Sequence, residues 1–177
     1  MRFRSLFMAA GIIAATTLAL PASAQAAAPG PAQAAVTAPA AQGVTRADIL
    51  KRADFWFKRG VPYSTQRYYP DPDGKKYRTD AAGYVSMAWR LPTSLTVEQL
   101  TDPAVTERIT ADQLRPGDAL ADAKSGNVLI FAGWADKKRT HYVAYEQTPP
   151  RVKHHKVPYP YWDHKADYAA YRYKNIA

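Results

Sequence analysis

Cysteine is absent from all 177 residues of the chain. That absence excludes disulfide stapling, thiolate metal sites and a thiol nucleophile, so a hydrophobic core must hold any folded part together. Acidic residues are scarce, with 15 Asp and Glu against 24 Lys and Arg, for a formal charge of +9. The resulting positive field favours anionic partners and says nothing about the fold. There is also no lysine run or recognisable nucleic-acid-binding pattern, so nucleic acid is not an expected partner. The one long, strongly apolar run lies within the first 20 residues, and no stop-transfer pattern follows it.

What is present begins with Arg2 and Arg4 ahead of an uncharged run from Leu6 to Leu20. This is the layout of a secretory signal peptide, and the run is too short to span a bilayer comfortably. Pro21, Ala22, Ser23 and Ala24 supply the small residues a signal peptidase accepts, so cleavage is expected after Ala24 or Ala26. Export without a twin-arginine signal implies a secreted protein with no transmembrane segment once the leader is gone. Loss of Arg2 and Arg4 lowers the net charge from +9 to +7. Residues 25–43 are dominated by Ala, Pro, Gln and Gly and read as a flexible linker, with one domain over residues 44–177.

Within that domain Thr45 and Asp48 open a helix that carries Ile49, Leu50, Ala53, Trp56 and Phe57 at helical spacing and ends at Gly60. Tyr63 to Arg78 reads as a loop or short hairpin around the turn Asp71-Pro72-Asp73-Gly74. Asp80 can cap a second helix, with Ala81, Tyr84, Val85 and Ala88 on one face and Trp89 at its end. After a polar connection and the turn Leu114 to Asp118, Asn127 to Phe131 reads as a buried strand. Tyr142 to Glu146, Val152 to Tyr159 and Tyr168 to Tyr173 are further strand candidates. Helices first and antiparallel strands afterwards predict an α+β domain, with the N-terminal helices packed on an antiparallel sheet.

Four fragments in order carry a resemblance: Gly60-Val61-Pro62-Tyr63, Asp80-Ala81-Ala82-Gly83, Leu114-Arg115-Pro116-Gly117-Asp118 and Asn127-Val128-Leu129-Ile130-Phe131. Over roughly Thr45 to Tyr173 the chain resembles the NlpC/p60 family of papain-like cell-wall peptidases, in particular actinobacterial secreted members. The resemblance implies a papain-like fold and a cleft that handles peptidoglycan stem peptides. In that family a cysteine at the first turn of a helix becomes a thiolate beside the helix dipole, and a histidine serves as its base. Here Ala81 stands at the cysteine position, Ala82 at the following serine and Asn127 at the histidine. The resemblance therefore implies a pseudoenzyme with no intact catalytic residue. Its cleft would be lined by Tyr63, Asp80, Ala81, Ala82, Tyr84 and Asn127, with Glu146 as the group that once oriented the histidine.

The remaining candidates read as architecture. His154 and His155 are adjacent and point to opposite faces of a strand, and His141 and His164 lack metal-ligand spacing, so no metal and no cofactor are expected. His141 as a replacement base finds no hydroxyl partner, and both it and Glu146 read first as surface strand residues. Asp80 and Asp118 read as a helix cap and a turn. Seven tyrosines between Tyr142 and Tyr173, with Trp134 and Trp162 nearby, fit a half-buried strand face better than a sugar-stacking platform. The expected partner is peptidoglycan or another anionic wall polymer, bound by a monomer. The alternatives are an active wall hydrolase and a secreted regulator that binds another protein.

Overall fold

In the computed structural model, residues 43–163 and 167–177 are described, and the expected leader, the linker up to residue 42 and His164 lie outside them. The first helix, α1, spans Arg46–Lys58. Thr45 caps it, its Oγ1 accepting from the Asp48 backbone N–H at 3.1 Å and donating to the Asp48 carboxylate at 2.7 Å. The buried stripe is Ile49, Arg52, Ala53 and Trp56, whereas Phe57, which shares their helical spacing, is 36% exposed. Arg52 is buried because each donor has a partner: Nε bonds the Met87 carbonyl at 2.9 Å and the fork reaches Asp71 and Asp73. An Arg buried in this way ties α1 to the turn that follows it.

That turn closes a hairpin of β1, Tyr68–Pro70, and β2, Lys76–Arg78, so the short-hairpin reading of this stretch is the one adopted. Next comes α2, Ala81–Ala88, buried on every side. Asp80 caps it, with Oδ1 accepting from the Gly83 N–H at 2.7 Å. Gly83 is required by a close approach, since a Cβ there would lie 2.0 Å from the Arg78 carbonyl oxygen. At the other end Leu91 N–H bonds the Ser86 carbonyl and Arg90 N–H bonds that of Met87, the paired closure of a Schellman motif. The position that this motif normally gives to glycine is held by Arg90 at φ 56°, a backbone conformation that costs an L-residue roughly 1–2 kcal/mol.

The stretch after α2 holds more structure than its polar sequence suggests. It contains α3, Val97–Leu100, then β3, Thr106–Ile109, and a 3₁₀ turn at Ala111–Gln113. The strands β4, Ala119–Asp122, β5, Asn127–Trp134, β6, His141–Thr148, β7, Arg151–Pro158, and β8, Ala169–Tyr173, complete the domain. They form a six-stranded sheet in the order β3-β8-β4-β5-β6-β7, with every neighbouring pair antiparallel. The class is therefore α+β.

Both faces of the sheet are covered, which is why β5 is apolar without alternation. Ala119, Ala121, Val128, Ile130, Tyr145 and Val152 face α1 and α2 in one core. Leu120, Leu129, Phe131, Tyr142, Ala144 and Val157 face away from the helices into a second core, with Tyr159, Tyr161 and Tyr168 packed there. The two layers are consecutive residues of the same strands, as a period of two requires. Asp118, fully buried beside the sheet, accepts from Arg46 at 2.9 Å, from Arg172 at 2.8 Å and from the Arg115 backbone at 2.8 Å, so its role is architectural.

Candidate functional site

The start of α2 opens into a groove of about 220 Å³ lined by Tyr63, Thr65, Arg78, Asp80, Ala81, Ala82, Thr96, Val97, Glu98 and Gly126. Three elements build it. The segment after α1 supplies Tyr63, whose N–H is fixed on the Pro150 carbonyl at 3.0 Å. The cap of α2 supplies Asp80, and the first helical turn supplies the methyl groups of Ala81 and Ala82. The start of α3 forms the third side, where Thr96 and Gln99 make a reciprocal capping box, at 3.3 Å and 2.9 Å. Its charges are few: Asp80 is paired with Arg78, and Glu98 keeps a solvent-exposed carboxylate, held below the ordinary value by bonds to its own backbone N–H and to Thr96.

Of the residues expected in the cleft, Tyr63, Asp80, Ala81 and Ala82 come together here. Tyr84 does not. It is fully buried, stacked on Trp56 at 5.6 Å with its hydroxyl donated to the Ala53 carbonyl at 2.8 Å, and burial pushes that hydroxyl's pKa well above its ordinary value. On α2 the i+3 position from Ala81 turns away from the groove toward α1, which is the reason for the correction. Asn127 is a second correction. It lies on the strand face of Leu129 and Phe131, away from the helices, and the groove is bounded instead by Gly126. Asn127 and Ala81 therefore do not oppose each other across it.

Asn127 instead joins a polar cluster under the second core. Its Nδ2 donates to Glu146 Oε1 at 3.1 Å and to the Tyr168 hydroxyl at 2.8 Å, with the Tyr161 hydroxyl at 3.4 Å. Tyr161 donates to Glu146 Oε1 at 2.7 Å, and His155 Nε2 donates to Oε2 at 2.9 Å. Glu146 is thus no surface residue: its side chain is 2% exposed. Burial pushes its carboxyl pKa up, but the bonds from His155, Tyr161 and Asn127 outweigh this and hold it below the ordinary glutamate value. Together Glu146 and Asn127 tie the Tyr161 and Tyr168 hydroxyls to the sheet.

His154 and His141 stand apart from the groove. His154 stacks on Tyr145 with ring centroids 4.0 Å apart, on the opposite face from His155, as adjacent strand residues must. His141 lies beside Thr140 and Asp136 at the far end of β6. Among the described residues no imidazole lines the groove, and no group of three or more His, Asp or Glu converges as a metal site would need. The groove contributions of Thr65, Arg78, Thr96, Val97, Glu98 and Gly126 escape sequence reading, although Thr96-Val97-Glu98-Gln99 does carry the capping-box spacing that marks a helix start.

Comparison of the chain with protein-family models, with curated proteins and with solved structures finds no match in any of the three. Among the described residues no helix is long and apolar enough to cross a membrane.

Proposed function

We propose that this is a secreted, catalytically inert protein related to the NlpC/p60 peptidases, with a papain-like fold, that binds peptidoglycan through the groove at the start of α2. The observation that carries the reading is the floor of that groove. Where papain chemistry needs a nucleophile on the first helical turn there are two methyl groups, Ala81 and Ala82, and on the strand side there is Gly126. The order of the four sequence fragments supports the relationship.

The charges of the groove favour the peptide part of the polymer. Arg78 and Asp80 offset one another, and Glu98 adds one exposed carboxylate, so a neutral or amine-bearing peptide fits better than a polyanion such as teichoic acid. Attraction to anionic wall material belongs to the basic remainder of the molecule. The protein acts as a monomer in this reading. Purified protein incubated with purified peptidoglycan should sediment with it saturably and release no new amino groups. Release of amino groups would make it a hydrolase, and absence from the pellet at low salt would remove the polymer as its ligand.

A further inference from the structure

A second concave site lies at the opposite end of α2. It has a volume of about 260 Å³ and is lined by Asp48, Lys51, Arg52 and Phe55 of α1, Pro72 and Asp73 of the hairpin turn, and Arg90. The four α1 residues recur at positions i, i+3, i+4 and i+7, so they form one face of the helix. Arg52 closes the back, with its donors already taken by Asp71, Asp73 and the Met87 carbonyl.

The groups at the rim keep bonding capacity of both signs. The Lys51 ammonium has no hydrogen-bond or ion-pair partner among the described residues, and Arg90 uses one nitrogen on Asp73 Oδ2 at 3.2 Å. Asp73 receives both arginines on Oδ2, and Asp48 receives the Thr45 hydroxyl on Oδ2, which leaves each Oδ1 free of a side-chain donor. Asp48, Lys51, Asp73 and Arg90 line the same concavity, so these charges converge on one space. Phe55 and Pro72 supply an apolar wall.

Arg90 also holds its place against its own backbone preference. It occupies the left-handed closing position of the α2 Schellman motif, where glycine would be unstrained, and its exposed pair with Asp73 is a weak return for that strain. Strain retained at the rim of a cleft marks a residue kept for its side chain.

We infer that this pocket binds a small zwitterion, an α-amino acid or short peptide with free amino and carboxyl groups and an apolar side chain. The carboxylate pairs with Lys51 and the unused donors of Arg90, the ammonium meets the Oδ1 atoms of Asp48 and Asp73, and the side chain lies on Phe55 and Pro72. A ligand with balanced charges matches a rim on which cations and carboxylates alternate. The site is separate from the peptide groove, since the two lie at opposite ends of α2.

The test is calorimetric titration of the full chain with leucine, N-acetyl-leucine and leucine amide, repeated on Lys51→Met and Arg90→Gly. Leucine should bind, each blocked derivative should bind at least tenfold more weakly, and both variants should lose most of the affinity. Arg90→Gly should at the same time leave Tm unchanged or raised, because glycine suits the backbone at that position. No binding of leucine, equal binding of the blocked derivatives, or affinity unchanged in Lys51→Met would each overturn the proposal. A fall in Tm in Arg90→Gly with leucine affinity intact would also overturn it, by making Arg90 a purely structural residue.

Discussion

Glu146 shows what one buried side chain does when both of its oxygens are hydrogen-bonded. Replacing its carboxylate with the Glu146→Gln amide removes the charged acceptor for His155 and Tyr161 and adds a donor facing the Asn127 amide. The expected cost at neutral pH is about 1–3 kcal/mol. Because the folded carboxyl titrates below its unfolded value of 4.5, its stabilisation is full above that value and is lost as pH falls through the folded one. Urea unfolding should therefore show a gap between wild type and variant that is constant from pH 7 to about pH 5 and narrows toward pH 3. A gap independent of pH would mean that the carboxylate charge contributes nothing. The sequence does not disclose this cluster, since the partners of Asn127 lie 19, 34 and 41 residues away along the chain. Only the sheet and the packing of Tyr161 and Tyr168 against it bring them together.

At the scale of elements, α1, α2 and the strands β5 to β8 are the legible part, whereas α3 is not. Thr45 and Asp80 are capping residues followed by apolar residues at helical spacing, and both caps are used as such. Strand β4 is illegible because Ala-Leu-Ala-Asp is short and half alanine, and only its place in the centre of the sheet makes it a strand. The same holds for β3, whose Thr-Glu-Arg-Ile sits in a polar stretch and is defined by its register with β8. Tyr84 shows the limit within a helix, where periodicity marks a buried face without saying which neighbour covers it. Gly83 marks a close junction between elements, that of α2 with β2. Gly83→Ala should displace the hairpin and the groove wall at Arg78, with a cost of about 3 kcal/mol, near the upper end for overpacking. A lowered urea midpoint at unchanged m-value is the expected readout, and a midpoint equal to wild type would mean that the hairpin yields freely.

The whole domain is closed where its ends meet. Val44 N–H bonds the Asn175 carbonyl at 3.0 Å and Ala177 N–H bonds the Val44 carbonyl at 3.1 Å, so the chain from Gly43 onward holds its own boundary. A protein shortened to begin at Gly43 should unfold cooperatively with the Tm of the longer chain, whereas one beginning at Ile49 should lose the α1 cap and several degrees of Tm. A Tm that falls on removal of residues 25–42 would show that the linker belongs to the folded unit. The proposed peptide groove without catalytic chemistry is tested most directly by sedimentation with purified peptidoglycan at rising salt. Exposed charges are screened within about 10 Å at 0.1 M salt, so attraction by the basic surface should fade while a groove-bound fraction persists. Tyr63→Ala, which removes a groove wall, should abolish that persistent fraction and leave the low-salt binding in place. Binding that vanishes entirely at high salt and is indifferent to Tyr63→Ala would contradict the account, because it would reduce the interaction to charge alone.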